Sequence, residues 1–89
     1  MELTKEKIQE LKAEAHHLEP VARVGKNGLN ENNITDINKL LKKRKLIKIK
    51  LVKGSIEEIG RKELAKIVAQ KTNSHLIQCI GQIVVLYKS

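Results

Sequence analysis

The sequence predicts an α/β two-layer sandwich of seven elements, α-β-α-β-α-β-β, with a mixed four-stranded sheet. Three observations predict it. Apolar residues recur at three- and four-residue steps in three separate segments, the pattern of helices buried along one side. Between them, short runs alternate apolar and polar residues as half-buried strands do, "LIKIKLV" at 46–52 most cleanly. Strand–helix–strand order favours parallel pairing with right-handed crossovers, and a closing hairpin adds an antiparallel partner.

The elements follow in order. Ile8, Leu11, Ala15 and Leu18 form one apolar stripe over 4–18, with Thr4 as N-cap and Leu3 and Ile8 placed as a hydrophobic staple. Pro20 disfavours helical angles at Glu19, so the helix stops there. Val21 to Val24 is a short strand, followed by a loop at Gly25 to Gly28. Asn30 caps a second helix running to Arg44, with Ile34, Ile37, Leu40 and Leu41 inward. In the strand 46–52, Ile47, Ile49 and Leu51 face one way and Lys48 and Lys50 the other. Ser55-Ile56-Glu57-Glu58 reads as a capping box for a third helix, which carries Ile59, Leu64, Ile67 and Val68 inward and ends near Thr72. Strands at His75 to Ile80 and Gln82 to Lys88 close the chain through a tight turn at Gly81-Gln82.

With 89 residues, the chain is expected to be one domain, residues 1–89. A chain of this size buries roughly 60–65% of its unfolded surface. That suffices for one layered core and leaves no room for a deep internal active site. The segments at 1–20 do not read as a signal peptide, and no apolar run approaches the ~20 residues that cross a bilayer. Cys79 is the single cysteine, so nothing points to an oxidising compartment and a cytoplasmic location is expected.

Charge is the most informative property. Lys and Arg number 18 against 10 Asp and Glu, a net charge of +8 with a pI near 9.8. Between Lys39 and Lys53 stand Lys39, Lys42, Lys43, Arg44, Lys45, Lys48, Lys50 and Lys53, with no acidic residue among them. The rest of the chain is balanced, so the whole excess belongs to this block. The first helix shows what a solvated face looks like, with Glu2, Lys5, Glu6, Lys7, Glu10, Lys12 and Glu14 interleaved. A block of one sign repels itself, and a polyanion relieves that cost; nucleic acid is the leading partner. Tyr87 is the only aromatic residue, so phosphate contacts and shape must carry more of any affinity than base stacking.

The loop Gly25-Lys26-Asn27-Gly28 has two readings. As a turn, its glycines simply allow positive φ. As an anion site, it follows a strand and precedes a helix, so backbone N–H groups and the helix start at Asn30 can converge on one phosphate. Lys26 adds charge, Asn27 a donor, and the glycines keep side chains out of the way. Glycines so spaced clamp RNA backbone in KH domains. The spacing makes neither a P-loop nor a dinucleotide fingerprint.

Ala15-His16-His17-Leu18-Glu19-Pro20, followed by Val24-Gly25-Lys26-Asn27-Gly28-Leu29, resembles the signature of the CRM domain (chloroplast RNA splicing and ribosome maturation), in particular its stand-alone YhbY-type members. Leu46-Ile47-Lys48-Ile49-Lys50 is similar to the family's second strand and Gly81-Gln82-Ile83-Val84-Val85-Leu86-Tyr87 to its last. The resemblance implies a fold similar to the C-terminal domain of translation initiation factor 3. It also implies RNA binding with the GxxG loop in the binding surface, and a link to assembly of the large ribosomal subunit. Plant members with several such domains act in intron splicing; one domain fits the ribosomal role better.

The expected interface therefore comprises Gly25, Lys26, Asn27, Gly28 and Asn30, with Lys42, Lys43, Lys45, Lys48 and Lys50 as a positive track. That track requires the end of the second helix and the Lys48/Lys50 sheet face to share one accessible side. A cytoplasmic RNA-binding monomer results, with (pre-)ribosomal RNA as partner, no membrane partner and no cofactor. The rival is an Alba-like architectural protein that binds duplex DNA as a dimer. An enzyme is not expected, since no nucleophile, base and acid occur as a set. A metal site is not expected either: His75 and Cys79 lie four residues apart on one strand, awkward for joint ligation at ~2.0–2.3 Å. His16 is read as capping the first helix and fixing the Pro20 turn.

Overall fold

The computed structural model describes residues 3–24, 30–52 and 60–88. Its elements are α1 (Lys5–Ala15), β1 (Pro20–Val24), α2 (Glu31–Arg44), β2 (Leu46–Leu51), α3 (Arg61–Lys71), β3 (His75–Ile80) and β4 (Ile83–Tyr87). The sheet order is β1-β2-β4-β3, with β1 parallel to β2 and the other two pairs antiparallel. The mixed four-stranded sheet and the α/β element order are those predicted.

Local chemistry sets the helix starts. Thr4 Oγ1 accepts from the Lys7 N–H at 3.0 Å, and Asn30 Oδ1 accepts from the Asn33 N–H at 2.9 Å. Each satisfies a donor with no partner inside its helix. Leu3 and Ile8 pack on the same apolar cluster, as a staple requires. α2 ends where Lys45 turns to φ 67°, its N–H still bonded to the Leu41 carbonyl at 2.8 Å. α1 stops at Ala15, short of the expected Leu18, but Leu18 folds back through a turn onto the same cluster. His16 holds the C-cap position through its backbone N–H, while its side chain is exposed and caps nothing among the described residues.

The third helix differs from the expectation. Gly60, at φ 81° and ψ 151°, stands immediately before α3 and contributes no side-chain cap. A continuous helix through this position is excluded, because those angles break the i→i−4 ladder and only glycine adopts them at little cost. The Ser55-Ile56-Glu57-Glu58 capping box and Ile59 lie outside the described residues. Beyond Gly60 the predicted face is correct: Leu64 and Val68 are buried and Ile67 is half-buried. Thr72 closes the helix in full burial, its hydroxyl donating to the Val68 carbonyl at 2.7 Å.

The sheet's two faces carry different helices. Val24, Ile47, Ile49, Leu51, Val84 and Leu86 pack under Ile37 and Leu41 of α2 and Leu64, Ala65, Val68 and Ala69 of α3. This is the expected two-layer core. Leu46, Ile77 and Val85 point the opposite way and pack under Leu11 and Ala15 of α1. The first helix therefore adds a smaller layer on the far face. The Gly81-Gln82 turn joins β3 and β4 with Ile80 opposite Ile83, and Gly81 takes φ 58°. Positive φ at the first turn position alone is the type II′ pattern, whose twist suits a hairpin.

Candidate nucleic-acid interface

Gly25, Lys26, Asn27 and Gly28 lie outside the described residues, so the site is built from what flanks them. β1 leads into the loop through Arg23 and Val24, and α2 leaves it at Asn30. Asn30 is the N-cap of α2, exposed, with its side-chain oxygen committed to the Asn33 N–H. Asn33 in turn donates through Nδ2 to the Arg23 carbonyl at 3.4 Å, which ties the helix start to the strand before the loop. The N–H groups of the first turn are thereby held at the end of β1.

The predicted lysines divide. Because β1 and β2 run parallel, α2 returns antiparallel to both, and its C-terminal end lies at the opposite end of the sheet from the loop. At 1.5 Å per residue, a 14-residue helix puts roughly 20 Å between the two ends. Lys42, Lys43 and Lys45 are exposed at that far end. Lys48 and Lys50 lie on the α1 side of the sheet, the face α2 does not cover. A single track on one accessible side, as the sequence reading required, is not formed directly.

Lys48 and Lys50 also differ from each other. Lys48 is half-buried and its Nζ donates to the Leu18 carbonyl at 3.1 Å, closing the turn between α1 and β1. Lys50 is exposed and pairs in register with Arg23 on β1, which is exposed as well. Neither of these two side chains has a hydrogen-bond or ion-pair partner among the described residues. Strand spacing puts their stems about 4.8 Å apart, so two like charges sit side by side where opposition is unfavourable. An anion bridging them relieves that repulsion.

Two clefts along β1 connect what the fold separates. One, about 310 Å³, is bordered by His17, Leu18, Arg44 and Lys48 at the far end. The other, about 510 Å³, is bordered by Ala22, Arg23 and Lys50 at the loop end. They share Glu19, Pro20 and Val21. A basic stripe therefore runs beside β1 from Arg44 and Lys48 to Arg23 and Lys50, with the carboxylate of Glu19 at its middle. The expected interface leaves out Arg23 and Arg44. Arg44 stands in the basic block of the sequence, whereas Arg23 is singled out only by its register with Lys50.

Among the described residues, no three His, Cys, Asp or Glu side chains come together as a metal site, and no helix is long and apolar enough to cross a membrane.

Comparison with known proteins gives one answer throughout. Residues 3–88 match the model of the CRS1/YhbY (CRM) domain family. The chain is 37% identical over 86 residues to a Bacillus subtilis protein named "probable RNA-binding protein YqeI", covering 97% of this chain and 88% of the relative. It is 40% identical over 85 residues to a Haemophilus influenzae protein named "RNA-binding protein", covering 96% and 83% of the two chains. The solution structure of Staphylococcus aureus protein SAV1595 superposes with a TM-score of 0.83 at 35% identity, over 99% of this chain and 90% of that one.

Proposed function

Because this chain belongs to the CRS1/YhbY (CRM) domain family, we propose that it is an RNA-binding protein that docks on structured RNA of the large ribosomal subunit and acts in ribosome assembly. In this reading it works as a cytoplasmic monomer and carries out no catalysis. The observation that most supports the reading is the pairing of Lys50 with Arg23, side chains without a partner among the described residues, Arg23 lying on the strand that leads directly into Gly25-Lys26-Asn27-Gly28.

The roles follow from position. Gly25 and Gly28 allow an RNA backbone to come close, Lys26 and Asn27 supply charge and a donor, and the α2 start at Asn30 offers N–H groups to a phosphate. Lys50, with Arg23, takes the next phosphate along β1. Lys48 and Arg44 continue the stripe, and Lys42, Lys43 and Lys45 meet only an RNA long enough to reach the far end.

Fluorescence anisotropy of a structured ribosomal RNA fragment and its DNA counterpart, titrated at several salt concentrations, tests this. RNA should bind more tightly than DNA at physiological salt. With about six phosphate contacts, log affinity should fall against log salt with a slope near −5. Lys26→Ala should weaken binding while leaving the melting temperature unchanged. Equal binding to DNA that collapses as salt rises would refute the RNA reading.

A further inference from the structure

Arg23 and Lys50 are not an isolated pair. Lys50 is also opposite Ile83 on β4, and Ile83 is opposite Ile80 on β3. One rung thus crosses all four strands in the order Arg23, Lys50, Ile83, Ile80. Residues paired across strands share a face, and this rung lies on the α1 side, where Leu46 and Val85 point. α1 packs across the other end of that face, over Leu46, Ile77 and Val85, and leaves the loop-end rung open. Arg23 and Lys50 are exposed, Ile83 is half-buried, and Ile80 at 63% is the more exposed of the two large hydrophobic side chains left open among the described residues.

We propose that this rung is a platform for an unpaired RNA strand, which crosses the sheet with its phosphates on Arg23 and Lys50 and a base or ribose face on Ile83 and Ile80. The inference rests on the RNA-binding reading and extends its site from the loop onto the sheet. Charge decides the occupant. The rung is cationic at one end, apolar at the other, and carries no acidic residue. A nucleotide strand offers the matching pair of an anionic backbone and a flat apolar base.

The geometry also selects unpaired over duplex RNA. A paired base buries its faces in the stack and presents only phosphate, 2′-hydroxyl and groove edges, whereas an unpaired one can lay its face on an apolar side chain. Three strand intervals of about 4.8 Å give a platform of roughly 14 Å, wide enough for both ends of the rung to be engaged by one strand. Aliphatic side chains stack less specifically than aromatic ones, so the platform reads strandedness and not sequence.

The test uses the full chain and two labelled RNAs: a hairpin with a single-stranded tail, and the same hairpin without it. Ile80→Ser, at an exposed position that should not disturb folding, is expected to weaken the tailed RNA about three- to tenfold, from lost apolar contact, and to leave its salt slope intact. Arg23→Gln with Lys50→Gln should instead lower the salt slope by about 1.4, two single-strand phosphate contacts. The blunt hairpin should be insensitive to Ile80→Ser. If wild type binds both RNAs but Ile80→Ser leaves the tailed affinity unchanged, the platform is wrong and the loop reading stands. If wild type binds neither RNA, both readings fail together.

Discussion

The two faces of the sheet are finished in opposite ways. Under α2 and α3, the inward positions of β1, β2 and β4 (Val24, Ile47, Ile49, Leu51, Val84 and Leu86) are apolar and buried. Under α1, the rows begin equally well with Leu46 and Val85 but end in Arg23, Lys50 and the open Ile80. The first face contributes stability through its row of buried side chains. The second gives up part of its apolar burial to keep a charged surface open beside the loop. Stability and binding should therefore be separable by mutation, according to which way a strand residue points.

The largest expected effect is on the covered face. Ile49→Ala, at a fully buried position, should cost about 2–5 kcal/mol in urea denaturation. Lys50→Gln, one residue along but facing the other way, should stay within about 0.5 kcal/mol of wild type. If both variants lost similar stability, the division between faces would be broken. Next, Leu11→Ala beneath α1 should cost about 2–3 kcal/mol, toward the low end of that range, because a small cluster at the sheet's margin can collapse around the lost volume.

A smaller effect sharpens the link between fold and site. Asn30→Ala removes the α2 cap and should cost about 1 kcal/mol, visible as a melting shift of roughly 4–8 °C for a domain this size. RNA affinity measured well below the melt should fall too, since the same helix start faces the loop. The smallest effect separates two neighbours on one face. Lys50→Gln should lower the salt slope of RNA binding by about 0.7–0.9. Lys48→Met should lower it by less, because that half-buried ammonium already spends one of its three donors on the Leu18 carbonyl.

Much of this was legible from residues alone. Thr4 and Asn30 announced two helix starts, and the alternation in Leu46–Leu51 announced which lysines would share a face. The side taken by α1 was not legible. Its stripe of Ile8, Leu11, Ala15 and Leu18 says that it packs, not on which surface, and the handedness rule governs only helices between two parallel strands. Gly60 was readable in principle, since a glycine inside a helix costs up to about 1 kcal/mol, but the capping pattern ahead of it argued for continuity. Arg23 could not be singled out at all. Its meaning comes from lying opposite Lys50, and register depends on how whole strands align.

The position of β4 bears on how such a chain comes to be made. The strand nearest the end of the sequence lies inside the sheet, between β2 and β3. Until Ile83–Tyr87 is synthesised, β2 has β1 alone and β3 has no strand partner, so a growing chain holds two fragments with bare hydrogen-bonding edges. Lys88 then fastens the result: its backbone N–H bonds the Lys45 carbonyl at 2.8 Å and its Nζ reaches the Thr72 carbonyl at 3.3 Å. Folding of this sheet thus waits for the last strand to emerge, and a ribosome stalled before Ile83 would display strand edges of the kind that invite aggregation.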